Sequence, residues 1–212
     1  MTPEADEIGK REFIEAYFEE FDDKVRFLSQ LATQGREAEA QLLALVYLDG
    51  LASWLKAPRS TSAHNFSDVL TELSGDSEFA LVLPHWLPKR LPWGSAPLGA
   101  EPAVRSALAV ISEHEALLPH ELLDALALDE PFRSWLASEV WRGTVASAVY
   151  VSLRVPGVHR LGTGFGLSFS TTKRHGQTLR RVGLERLLAA LERVADHAKT
   201  VSLDANMWFG VE

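Results

Sequence analysis

Val149-Tyr150-Val151-Ser152-Leu153-Arg154-Val155-Pro156-Gly157-Val158-His159-Arg160 runs an apolar segment into a helix breaker and sets an arginine and a histidine five positions apart. On an unbroken helix each residue advances about 100°, so that spacing would turn the two side chains roughly 140° from one another. Proline lacks an amide proton and disfavours the α conformation in the residue before it, so a helix is expected to stop near Arg154. Gly157 then frees the turn and lets His159 swing back towards the arginine. One fixed cation beside one titratable ring is suited to holding a phosphate and moving a proton.

Spacing alone does not select this pair. Arg59 and His64 repeat it, and about one or two such matches are expected by chance in a chain with this many arginines and histidines. Arg59 and His64 flank a Ser/Thr-rich loop after Pro58 with no apolar helix leading into them, so they are read as coincidence.

Outward from this stretch the chain reads as helices. From Glu4 to Thr33, Ile8, Phe13, Tyr17, Phe21, Val25, Leu28 and Leu31 recur at helical intervals among many acids, the mark of an amphipathic helix. Gly35 ends it. Residues 36–57 are apolar nearly all round and predict a central, mostly buried helix. Asn65 or Ser67 is the expected cap of a short third helix that closes at Gly75. Five prolines between 84 and 102 predict an irregular segment with short helical turns around 78–91 and a loop at 92–100. Helices are then expected at 102–113, 119–128 and, continuously, 131–154. Residues 164–170 alternate like a strand, with 177–182 as partner across Lys173-Arg174-His175-Gly176. A last helix is expected from Leu184 to Lys199.

Composition narrows the function classes. The chain has 212 residues and no cysteine, which removes disulfides, thiolate metal sites and cysteine nucleophiles. No apolar run approaches the roughly 20 residues needed to span a bilayer, and the acidic N-terminus does not read as a signal peptide, so a cytoplasmic protein is expected. The net charge of -8 argues against general coating of nucleic acid. Yet residues 151–199 hold nine Lys/Arg against three acids. That block is either a solvated face or a patch for a phosphate-bearing ligand. Neither Gly162-x-Gly164-x-Gly166 nor the scattered histidines have the setting of a dinucleotide or metal site, so no cofactor and no metal are expected.

The central Leu45-Val46-Tyr47-Leu48-Asp49-Gly50-Leu51-Ala52, the late Tyr150, Leu153, Arg154 and His159, the hairpin and the final helix together resemble the HEPN superfamily. The likeness spans most of the chain in order of elements, and two short segments carry it in residue identity. Val155 and Pro156 depart from the pattern. The resemblance implies a mainly α protein: one HEPN-like helical bundle over 1–212, with a small β-hairpin before the C-terminal helix. It further implies a homodimer that lines a shared cleft with Arg154 and His159 as catalytic residues. The activity implied is metal-independent RNA cleavage or RNA/nucleotide binding in a toxin or defence system, with an antitoxin-like protein as a candidate partner. A non-catalytic HEPN-like dimerisation or interaction module is the alternative.

Three other groups come from the residues themselves. Asp49 sits in the most apolar helix and needs a partner there; it could pair with Arg154, orient His159, or make an ordinary buried hydrogen bond. Lys173, Arg174 and His175 at the hairpin tip are candidates to clasp an RNA backbone, or form a solvated turn.

Overall fold

A computed structural model describes residues 3–56, 62–112, 114–155 and 166–207. His159, Arg59 and the first two glycines of the 162–166 triplet lie outside them. Among the described residues the chain forms eight α-helices and one two-stranded antiparallel sheet, a mainly α fold with a small hairpin.

Helix α1 spans Pro3–Thr33 and buries Ile14, Phe18, Phe21, Val25, Leu28 and Leu31, one stripe at three- and four-residue steps. Its end is closed by Gly35 at φ 77°, with the Arg36 amide donating to the Leu31 carbonyl at 2.9 Å and so satisfying a terminal acceptor. Helix α2 (Glu37–Leu55) follows at once. It is less enclosed than its composition predicts: Gln41, Ala44, Leu45, Leu48, Asp49, Leu51 and Ala52 are buried, whereas Val46, Gly50 and Ser53 face outward. Fully burying one such leucine contributes about 1.5–3 kcal/mol.

Helix α3 (Ser62–Leu73) begins before both expected caps. Asn65 and Ser67 are buried inside it instead, and the Ser67 hydroxyl donates to the Ala63 carbonyl at 2.8 Å. Serine satisfied in this way is compatible with a helix interior.

The proline-rich stretch breaks into three single turns, Ser77–Ala80, Leu87–Lys89 and Trp93–Ser95. Helices α4 (Ala100–Leu108), α5 (Pro119–Leu126) and α6 (Phe132–Glu139) then enclose a second core of Val82, Leu87, Leu91, Val104, Leu108, Leu122, Leu126, Leu136 and Val140.

The expected continuous helix at 131–154 is divided. A 3-10 turn, Val140–Gly143, separates α6 from α7 (Val145–Val149). Here the backbone bonds sideways: Leu83 donates to the Gly143 carbonyl at 2.8 Å and Val145 to that of Leu81 at 2.9 Å. Gly143 allows the approach, because a Cβ there would stand 2.8 Å from Leu87. Thr144 caps the new helix by accepting from the Ser147 amide at 3.1 Å.

All five residues of α7 are buried, and the helix widens into a π-turn at Tyr150–Arg154. The hairpin is shorter than the alternation predicts. Strand β1 (Lys173–Arg174) pairs with β2 (Gln177–Thr178), and Leu167 meets Val182 in an isolated bridge. The two-residue loop has positive φ at both His175 (51°) and Gly176 (79°), the hand that matches strand twist in tight hairpins. Helix α8 (Leu184–Ala205) runs past the expected Lys199 and buries Leu187, Leu191, Val194 and Ala198 against α1, α2 and α3.

Candidate functional site

Arg154 stands at the end of the π-turn, where the main core meets α2. Its Nε and Nη2 both donate to Oδ2 of Asp49, at 3.0 and 2.6 Å. Of the three roles open to Asp49, the ion pair with Arg154 is formed, while one towards His159 lies outside the described residues. The pair lies mostly out of solvent, with side-chain exposures of 18% for the arginine and 11% for the aspartate. A charge in such a place needs its partner, since an unpaired buried ion is costly. Two groups are left over: among the described residues neither Asp49 Oδ1 nor Arg154 Nη1 has a hydrogen-bond partner.

The guanidinium also lies 5.7 Å from the centre of the Tyr150 ring, within cation–π range. Tyr150 in turn packs on Phe66 of α3 at 5.2 Å between centroids. Burial pushes the Tyr150 phenol above its ordinary pKa and Asp49 adds to this, while Arg154 and a hydrogen bond with Ser62 pull it back. The site is therefore assembled from α2, α3 and the π-turn, all fixed by the same core.

The hairpin candidates are placed differently from one another. Lys173 is exposed, and its backbone is tied to the segment before α5: its amide donates to the His114 carbonyl at 2.6 Å and its carbonyl accepts from Ala116 at 2.7 Å. Arg174 turns inward and grips Glu121 of α5 through two parallel bonds of 2.6 and 2.7 Å. That fork holds the Glu121 carboxyl at a pKa of about 2. His175 is exposed at the tip, its amide donating to Glu115 at 2.9 Å. Only Lys173 and His175 thus present side chains outward; Arg174 is a tie between hairpin and second core.

His64 stacks on Trp141 at 4.3 Å, nearly parallel, and lies 3.4 Å from Asp68. Burial raises the pKa of Asp68.

A cluster that sequence reading passed over sits at the opposite end of α3. Asp76 binds both Arg180 (2.9 Å) and Arg186 (2.8 Å), and Glu78 binds the same two at 3.1 and 3.2 Å. The signal available was the basic block itself: Arg186 and Arg193 are seven apart, hence on one face of α8. Nothing in the local sequence announces that Asp76 and Glu78 meet that face.

Among the described residues no three His, Asp or Glu side chains gather in a way that would hold a metal ion. In the same residues no helix is long and apolar enough to cross a membrane. No family model, no curated protein and no solved structure matches this chain.

Proposed function

We propose that the chain is a HEPN-like protein that binds RNA and cuts it without a metal, as a cytoplasmic homodimer in a toxin or defence system. The observation that carries this reading is the posture of Arg154. It is held in the π-turn by Asp49, has Nη1 unengaged among the described residues, and precedes His159 by five positions. A guanidinium held in one orientation grips phosphate oxygens with less loss of freedom than a mobile one. Histidine, with an ordinary pKa of about 6.5, can take the proton of a ribose 2′-hydroxyl near neutral pH. The freed oxygen would attack the adjacent phosphorus, the bond to the 5′-oxygen would break, and a protonated imidazole would return a proton to that leaving oxygen. The products are a 2′,3′-cyclic phosphate and a 5′-hydroxyl. Two chains around one cleft would supply two of each group.

The test is cleavage of single-stranded RNA by the full chain with a chelator present. The expected result is cyclic-phosphate ends from wild type and a loss of about 10²-fold or more with His159→Ala. Intact RNA after incubation with folded wild type would overturn the catalytic reading.

A second reading has an observation of its own. Arg154 is largely enclosed and spends two donors on one carboxylate, as suits a structural tie in a non-catalytic HEPN-like module that captures a second copy or an antitoxin-like partner. Dimerisation without RNA cutting or RNA binding would favour it.

A further inference from the structure

An open cleft of about 590 Å³ lies between the segment after α3, the irregular segment after β2 and the first half of α8. It falls within the range of volumes that small-molecule sites occupy. Its wall is built by the cluster just described. Asp76 accepts from Arg180 Nη2 and Arg186 Nε at 2.9 Å each, and Arg186 also donates through Nη1 to the Arg180 carbonyl at 2.7 Å. With Glu78 these four charges balance one another and hold their places. Arg186, 11% exposed, is not free to change partner cheaply, whereas Arg180, 61% exposed, is held more loosely.

Two further arginines line the same cleft and are exposed, Arg181 and Arg193. Among the described residues neither forms an ion pair or a side-chain hydrogen bond. Arg193 lies over a glycine that makes room for it, and Arg181 lies beside one whose nearest neighbour is the Val182 carbonyl, 2.5 Å from a Cβ built there. A Cβ on Gly75 would come within 2.3 Å of the Arg193 guanidinium, and one on Gly166 within 3.0 Å of the Arg181 Nε. Both glycines have positive φ, 69° and 96°. Against these two cations the lining sets a single further carboxylate, Glu185.

We propose that this cleft binds a phosphate-bearing ligand of about mononucleotide size, with Arg181 and Arg193 closing on its phosphate oxygens. Guanidinium forks match phosphate in pairs of bonds, and two forks on one concave surface suit a dianion better than a carboxylate. The enclosed, pre-paired Arg186 holds this wall in place, which limits the ordering needed on binding. The ligand is a free nucleotide or one nucleotide of an RNA strand. None of the residues invoked belongs to the proposed cutting site, so either idea can fail alone.

The experiment titrates the full chain with inorganic phosphate, a nucleoside monophosphate, a nucleoside diphosphate and a short single-stranded RNA, by calorimetry and fluorescence anisotropy. Saturable binding by nucleotides alone identifies the free ligand; tighter RNA binding that nucleotides compete away identifies the strand. Arg181→Gln with Arg193→Gln is expected to weaken the bound probe about tenfold or more. The Lys pair of substitutions, which keeps charge and loses the fork, is expected to fall between. Glu185→Gln is expected to tighten binding, a gain that a misfolded variant would not give. Absence of saturable binding by any probe at millimolar concentration, or unchanged affinity in the Gln pair, overturns the proposal.

Discussion

Arg154 and Arg174 are equally enclosed, each with 18% of its side chain exposed, and each reaches a carboxylate on a distant helix. Their bonding differs. Arg174 sets two nitrogens against the two oxygens of Glu121, so this carboxylate is matched oxygen for oxygen. Arg154 sets two nitrogens against one oxygen of Asp49 and leaves the second oxygen and a third nitrogen unmatched among the described residues. The partners differ in setting too, the Asp49 side chain being 11% exposed and that of Glu121 33%. A closed fork between a hairpin and a helix is a fastening. An open one inside a core is a fastening with bonding capacity to spare, which is what a ligand site requires.

Removing one side of each pair separates the two most sharply. Asp49→Ala strands a buried guanidinium and is expected to cost about 3–5 kcal/mol in urea unfolding. Replacing both partners, Asp49→Leu with Arg154→Met, is expected to recover most of that loss, because well-packed apolar groups often replace a buried pair without penalty. If Asp49→Ala proves as mild as a surface substitution, the contrast between the pairs collapses.

Gly176→Ala probes the fastening from the other side. Nothing stands near a Cβ at this position, so the effect is backbone strain alone. With φ at 79° the expected loss is about 1–2 kcal/mol. It should appear in hydrogen exchange at the hairpin while α7 stays protected.

The gentlest effect is one of pH. Arg174 holds Glu121 at a pKa of about 2 against an ordinary 4.5. A carboxyl lowered by folding adds stability that is complete above its unfolded value and fades as pH falls from about 4.5 towards 2. Acid unfolding of Glu121→Gln should therefore be less steep over that interval than wild type. Equal slopes would mean that the fork is open in solution.

Much of this fold was legible because long helices carry their own period. Helices α1, α2 and α8 were read from apolar spacing; the stop expected from Pro156 lies outside the described residues. The division of 131–154 was not. Phe132 to Leu153 keeps a helical stripe throughout, and the break at Gly143 and Thr144 arises from bonds to residues 81–83, which lie far away in sequence. Ser67 misled for a related reason: a hydroxyl that can cap a helix can equally bond back inside one. The Asp49–Arg154 pair was foreseen as one of several options, since a lone acid among leucines must find a cation or a donor. The fate of Arg174 was not, because local sequence does not reveal that Glu121 waits across the second core.

The π-turn at Tyr150–Arg154 has a consequence for how this chain tolerates length changes. Such a turn amounts to one residue more than an α-helical turn would use. Excising Ser152 would let the segment rewind as ordinary helix, with the residues beyond it facing nearly as before. The guanidinium would then stay on the side of the aspartate, with only the bulge gone. Five consecutive residues thus set the aim of Arg154 by counting rather than by chemistry, and a relative one residue shorter here could keep the pairing on ordinary helix.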